Sequence, residues 1–289
     1  MKHFQSLHPA VLMTYYVFTI GFSVIIMNPI CLGISFVGAL IASAGLCGIK
    51  NTLHSLKYML PMILFAVLIN PMFNHEGATI ITYLPGGNPL TLESIIYGMA
   101  AGLMLASVLC HFSCFNKVMT ADKLVYLFGR ISPELSLVLS MSLRMVPMLI
   151  KQTRQVSAAQ RCIGRDIKTG NLISRIRNAV SIMSVMITWS LENAVTTSDS
   201  MKSRGYGLKG RTAFSLFRFD KHDAAVLAVV LVLGLTLLYA NVNGMMHWRC
   251  FPTMKWGGGS AALPMYIVYA MLVLVCPVIN IMNERRRRG

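Results

Sequence analysis

The sequence predicts an all-α integral membrane protein. It has about six transmembrane helices plus a cytoplasmic-face pair of long amphipathic helices. Three observations predict this. Hydrophobic residues make up 55% of the 289-residue chain and charged residues 12%, against roughly 45–50% and 25% in soluble domains. Apolar runs close to the length that crosses about 30 Å of hydrocarbon recur along the chain. The charge is confined to a few places, chiefly one stretch between the fourth run and the fifth.

The six runs are residues 10–27, 30–49, 58–73, 92–115, 224–242 and 261–282. Asn28-Pro29 separates the first two. The third is short, with Pro61 expected in its first turn, where a missing N–H is harmless. Polar residues 74–89, with Pro85-Gly86-Gly87, read as a loop, as do residues 243–260, with Gly257-Gly258-Gly259. Only Lys2 precedes the first run among the bases and no A-x-A site follows, so a retained span is expected. This divides the chain into N-terminal spans (1–115), a cytoplasmic domain (116–220), and C-terminal spans with a basic tail (221–289).

Charge sets the orientation, because Lys and Arg collect on the cytoplasmic side of short loops. With the N-terminus inside, segments 1–9, 50–57, 116–222 and 283–289 hold 24 of the 26 Lys and Arg, leaving Arg249 and Lys255 outside. Both termini are then cytoplasmic in a multi-pass protein of the cell membrane. The net charge of +16 is thus first an orientation signal, with anionic lipid as a partner of the Arg285–Arg288 run and no nucleic acid. The seven cysteines lack CxxC spacing and fall mostly in apolar runs, as small apolar residues do.

The cytoplasmic stretch is too apolar for a loop and too charged to span. On a helix from 144 to 165, Arg144, Lys151, Arg154, Arg161 and Arg165 share one third of the circumference, and Met145, Leu149, Val156, Ala159 and Ile163 fall opposite. Thr169-Gly170-Asn171 reads as a stop and a cap. In a second helix Leu172, Ile176, Val180, Met183, Ile187, Leu191 and Ala194 form one apolar stripe. Ser174, Asn178, Ser181, Glu192, Thr196 and Asp199 lie on its far side, and the helix stops near Gly205. The Ser, Thr and Asn on that side favour protein packing over a headgroup surface, which selects Lys and Arg.

Gly205-Tyr206-Gly207-Leu208-Lys209-Gly210 matches G-x-G-x-x-G, and with Arg211-Thr212 nearly matches a P-loop. Both motifs need a strand before and a helix after; a long helix precedes this one, so it reads as a helix stop and turn. His54, His75, His111, His222 and His247 stand apart and read as loop or interface residues. There is no H-E-x-x-H and no G-x-S-x-G. Within the runs the one carboxylate is Glu93, at a helix start. Proton relays need intramembrane ionisable groups. The chain is therefore expected to be non-catalytic, with no metal and no cofactor of its own.

Three pieces in order carry a resemblance: Ser142-Leu143-Arg144-Met145-Val146-Pro147, then Ala158-Ala159-Gln160-Arg161, then Met201-Lys202-Ser203-Arg204-Gly205-Tyr206-Gly207. Together they resemble the transmembrane T component of energy-coupling factor (ECF) transporters, ABC-type importers of vitamins and of cobalt or nickel ions. The resemblance covers most of the chain. It implies two cytoplasmic ABC ATPase subunits that bind and hydrolyse ATP, a membrane-embedded S component that binds the substrate, and two coupling helices joining them. Each such helix ends in an Ala-Arg-Gly-like tripeptide whose Arg seats in an ATPase groove. Ser203, Arg204 and Gly205 match the second tripeptide. Cys162, Ile163 and Gly164 align with the first, with Ile163 in place of the Arg. A charge from Arg161 or Arg165, or an apolar plug at Ile163, would stand in for it. Met145, Leu149, Leu172, Ile176, Val180, Met183 and Ile187 are expected to meet the S component. Packing between the two helices explains the methionines among them equally well. A membrane scaffold that recruits a soluble complex without transport is the alternative class.

Overall fold

The computed structural model describes residues 4–74, 76–83, 89–166, 171–208, 217–251, 254–257, 259 and 262–288. A short 3-10 turn (Phe4–Ser6) leads into α1 (Pro9–Ile25), α2 (Pro29–Cys47), α3 (Ile49–Phe73) and α4 (Leu92–Val118). Then come α5 (Ala121–Ile131), α6 (Pro133–Cys162), α7 (Leu172–Ser203), α8 (Lys221–Val242) and α9 (Ala262–Arg288). Two small antiparallel ladders, Ile80–Tyr83 with Pro89–Thr91 and Trp248–Arg249 with Lys255–Trp256, lie in the stretches read as loops. Pro85-Gly86-Gly87, Thr169-Gly170, Gly258, His75 and residues 209–212 lie outside the described residues.

The chain is thus all-α and multi-pass. Five helices, α2, α3, α4, α8 and α9 to Ile281, are long and apolar enough to cross a membrane; α1, at 17 residues, is shorter. Their starts follow from local chemistry. Pro9 and Pro29 occupy the first helical position, and the residue before each supplies a cap. His8 Nδ1 accepts from the Ala10 N–H at 3.3 Å, and Asn28 Oδ1 from the Ile30 N–H at 3.1 Å. Thr91 Oγ1 does the same for Ser94 at 3.3 Å.

Two boundaries correct the sequence reading. The third span begins at Ile49, so residues 50–57 are helix rather than loop, and Pro61 lies inside α3, not in its first turn. Gly48, at φ 89°, ends α2 and turns the chain at once; no breaker follows, so polar turns extend the helix past its apolar part. Likewise α8 starts at Lys221. Asp220 and Asp223 form a capping box there, so Glu93 is not the sole carboxylate in a spanning helix.

The chain forms two compact units, Met1–Lys123 with Phe217–Gly289, and Leu124–Leu216. In the first, the core is aromatic and aliphatic, with Phe4, Tyr15, Tyr16 and Phe22 packed with Leu237, Tyr269 and Leu272. Helices α3 and α4 approach closely: a Cβ at Gly98 would stand 2.9 Å from the Ala66 carbonyl, and one at Gly102 3.1 Å from Ile63 Cα. Small residues are what allow such approach in lipid, where no hydrophobic effect drives helices together. Polar glue accompanies it. Ser35 Oγ on α2 lies 2.7 Å from Ser23 Oγ on α1, 2.6 Å from Ser107 Oγ on α4 and 3.2 Å from His111 Nε2. Ser23 also meets the Tyr269 hydroxyl of α9 at 3.2 Å. His111, read as a loop or interface residue, is instead buried in the bundle. Its polar partners come from α2, which spacing along α4 does not reveal.

In the second unit, α6 and α7 pack antiparallel. Asn193 Nδ2 donates to Met145 Sδ at 3.4 Å, and Asn178 Nδ2 donates to the Asp166 carbonyl at 3.1 Å. Met141, Met145, Leu149, Gln152, Val156 and Gln160, three to four residues apart, form the half-buried side of α6. Opposite them α7 turns Asn178, Ile182, Met186, Trp189 and Asn193 inward, with Ile182 its one buried residue among those described.

Candidate functional site

Both long helices of the second unit end in the same backbone device. At the end of α6 the Gly164 N–H donates to the Arg161 carbonyl at 3.0 Å and the Arg165 N–H to the Gln160 carbonyl at 2.9 Å. At the end of α7 the Gly205 N–H donates to Lys202 at 3.0 Å and the Tyr206 N–H to Met201 at 3.0 Å. This is the Schellman pair of bonds, six-to-one around five-to-two. It requires a left-handed residue, and Gly164 (φ 78°) and Gly205 (φ 79°) supply it. Ile163 and Arg204 are therefore equivalent C-cap residues, with φ, ψ of −95°, 16° and −87°, 9°. Each stands exposed where its helix stops and the chain turns away.

The chemistry of the two tips differs. Arg204 lines a groove of about 430 Å³ with Arg144, Met141, Met145, Thr196 and Ser200. A guanidinium at a helix C-terminus also complements the dipole, by about 0.3–1 kcal/mol. At the other tip Ile163 is 64% exposed. Arg161 has a local partner: its Nε lies 3.0 Å from Asp166 Oδ2. Sequence reading did not single out Asp166. Five residues apart is no helical neighbour spacing; only the reversal at Gly164 brings the pair together. Arg165 is exposed beside it. Cys162 and Ser203, the residues before the caps, are also exposed, and Ser203 Oγ donates to the Ser200 carbonyl at 2.9 Å.

The residues expected to form a second contact surface divide. Met145 and Leu149 face α7, in the seam between the helices. Leu172, Ile176, Val180, Met183 and Ile187 are each 57–69% exposed, with Met183 and Ile187 at the rim of that seam. The apolar stripe of α7 is thus uncovered, and the side bearing Asn178 and Asn193 is the one that packs. Apolar residues of α6, Leu135, Val138, Val146 and Ile150, are uncovered as well. An apolar groove of about 430 Å³, lined by Leu149, Ile182, Met183, Met186, Ile187 and Leu191, opens between the two helices. Contiguous exposed apolar surface of this kind marks an interaction site. Gly205-Tyr206-Gly207 forms turns after a helix, not the strand-to-helix loop that cradles phosphate.

Comparison with known proteins places this arrangement in context. The family model for the cobalt transport protein CbiQ matches residues 4–214. The energy-coupling factor transporter transmembrane protein EcfT of Streptococcus thermophilus is 28% identical over 197 residues, covering 65% of this chain and 74% of the relative. EcfT of Lactococcus lactis is 28% identical over 205 residues, covering 66% and 76%. EcfT of Lactobacillus helveticus is 39% identical over a shorter 108 residues, covering 37% and 39%.

Proposed function

The chain belongs to the CbiQ cobalt transport protein family and is an EcfT/CbiQ-like T component; from that premise we propose how it couples. As the energy-coupling transmembrane subunit of an ECF transporter, it joins two cytoplasmic ABC ATPase subunits to a membrane-embedded S component. Uptake of a vitamin or a transition-metal ion is the outcome, in the cell membrane with both termini cytoplasmic. ATP is bound and hydrolysed by the partners. The chain contributes no catalytic group and no cofactor.

The observation that carries this reading is the pair of matching caps at the ends of α6 and α7, on helices that bear uncovered apolar residues. The caps fix where each tip residue stands, and the stiff helices carry displacement at a tip along their length. ATP-driven closure of the ATPase pair moves Ile163 and Arg204. The apolar face holding Leu172, Ile176, Val180, Met183 and Ile187 then moves against the S component. Arg204 suits its role because a planar guanidinium bonds two acceptors at once and so fixes an angle as well as a position.

The test is co-purification with a tagged chain, identifying what comes with it. Two ATP-binding subunits and a small membrane protein are expected, and Arg204→Glu should lose the ATPases while membrane insertion stays intact. Recovery of a lone partner that is no ATPase would make the chain a scaffold instead.

A further inference from the structure

The two tips share a backbone and oppose each other in chemistry. The α7 tip offers Arg204 beside Arg144 in one groove, and no carboxylate is among the described residues lining it. Two guanidiniums facing one groove favour an anionic partner. The α6 tip offers Ile163, which has no donor and no charge. Its neighbour Arg161 is held by Asp166 at 3.0 Å, and the exposed Arg165 comes after the Gly164 reversal, so neither charge stands at the cap position that Ile163 holds. The apolar character extends beyond Ile163. The Asn178 to Asp166 hydrogen bond sets the start of α7 at this same end. Leu172, Ile173 and Ile176 stand there 69%, 70% and 63% exposed.

We infer that the two tips select two unlike ATPase sockets: a carboxylate-lined socket for the α7 tip and an apolar socket for the α6 tip. The two ATPase surfaces that receive the tips then differ in chemistry. This rests on the docking role proposed above and specifies its partners. A lipid surface is the competing occupant of the α6 tip. It would need no defined cap, whereas the Schellman turn that aims Arg204 outward is reproduced at Ile163. That repetition points to a shaped socket.

Cys162, next to Ile163, is a native reporter. Of the seven cysteines it is the exposed one; five are buried and Cys47 is half-buried. The full chain is reconstituted in lipid nanodiscs with and without the ATPases that co-purify with it. A membrane-impermeant maleimide is added, and Cys162 labelling is read by mass spectrometry. Cys162 should label freely without ATPases and be protected with them. Ile163→Leu should keep the protection. Ile163→Asp should lose it roughly tenfold or more, as expected for an unpaired charge in an apolar socket, with the ATPase content of the complex falling in parallel. Ile163 is exposed, so neither substitution disturbs a core.

Three results overturn the inference. One is protection and ATPase content unchanged in Ile163→Asp. Another is tighter association in Ile163→Arg, which would show an acidic socket. The third is Cys162 shielded in nanodiscs that contain no ATPase, which would place the tip in lipid. The parent reading is judged separately by Arg204→Glu. If that variant keeps its ATPases, docking at the tips fails as a whole. If it loses them while Ile163→Asp does not, only the unlike sockets fail.

Discussion

Substituting Ser35 by Ala tests what holds the membrane unit together. Ser35 Oγ is the hub of the buried polar chain, within hydrogen-bond reach of Ser23 (2.7 Å), Ser107 (2.6 Å) and His111 Nε2 (3.2 Å). All of these side chains are buried. Ser23 keeps its bond to the Thr19 carbonyl at 2.7 Å and its contact with Tyr269. Ser107 and His111 Nε2 lose the Ser35 hydroxyl and gain no replacement from the substitution. Hydrogen bonds between transmembrane helices average about 0.6 kcal/mol and reach about 1.7 kcal/mol. Three lost at once therefore come to about 2 kcal/mol, roughly a 30-fold shift in the unfolding equilibrium. Ser107→Ala removes one of the three and should cost about 0.6 kcal/mol. The assay is SDS-driven unfolding of the purified chain in mixed micelles, following helical signal and intrinsic fluorescence for wild type, both single variants and the Ser35/Ser107 pair. The double variant should cost little more than Ser35→Ala, because the two share a bond. The reasoning is refuted if Ser35→Ala costs no more than Ser107→Ala, or if the two losses add in full.

Lys123 is buried and donates through Nζ to the Gln5 carbonyl at 2.5 Å and the Val118 carbonyl at 2.9 Å. Lys123→Met should cost about 1–3 kcal/mol by leaving these carbonyls unpaired, read by unfolding in the same micelles. Burial lowers the Lys123 pKa. Unfolding therefore takes up a proton between the lowered value and about 10.4, so wild-type stability should rise with pH across that window and Lys123→Met should lack the rise. Gly164→Ala and Gly205→Ala each force a Cβ into left-handed backbone, at about 1–2 kcal/mol. Each should raise amide hydrogen exchange over the last turn of its own helix, at 160–165 or 201–206, and leave the other unchanged. Equal protection in the variants would show that the caps are not what orders the tips.

Much of the fold was legible in the sequence because its signals are local. A run of apolar residues needs a lipid solvent whatever its neighbours are. Pro29 after Asn28 and Gly205 after Arg204 act through backbone a few residues away. The start of α3 was hidden because apolar counting sees only the part of a helix that sits in hydrocarbon. Lys50 and Lys57 belong to the same helix as Tyr58. The tip at Ile163 was found by alignment of short motifs, but its equivalence to Arg204 is a matter of two hydrogen bonds and a positive φ, which no residue type states. Asp166 was missed because its contact with Arg161 exists only once the chain has reversed.

By itself, then, the sequence determined the solvent of this protein, the approximate course of its apolar helices, and the residue types offered at the two tips. The tertiary structure decided which face of each helix is covered. On α7 it covered the side with Asn178, Ile182 and Asn193 and left the continuous stripe from Leu172 to Leu191 open. It also gathered Ser23, Ser35, Ser107 and His111 from three helices into one chain of contacts. The reason is physical. In water an apolar stripe marks the buried face, because leaving it exposed is costly. Where lipid or another subunit takes up an apolar stripe that cost is not incurred, so hydrogen bonds and close fit choose the face packed within the chain, and these depend on a partner helix that periodicity along one segment does not contain.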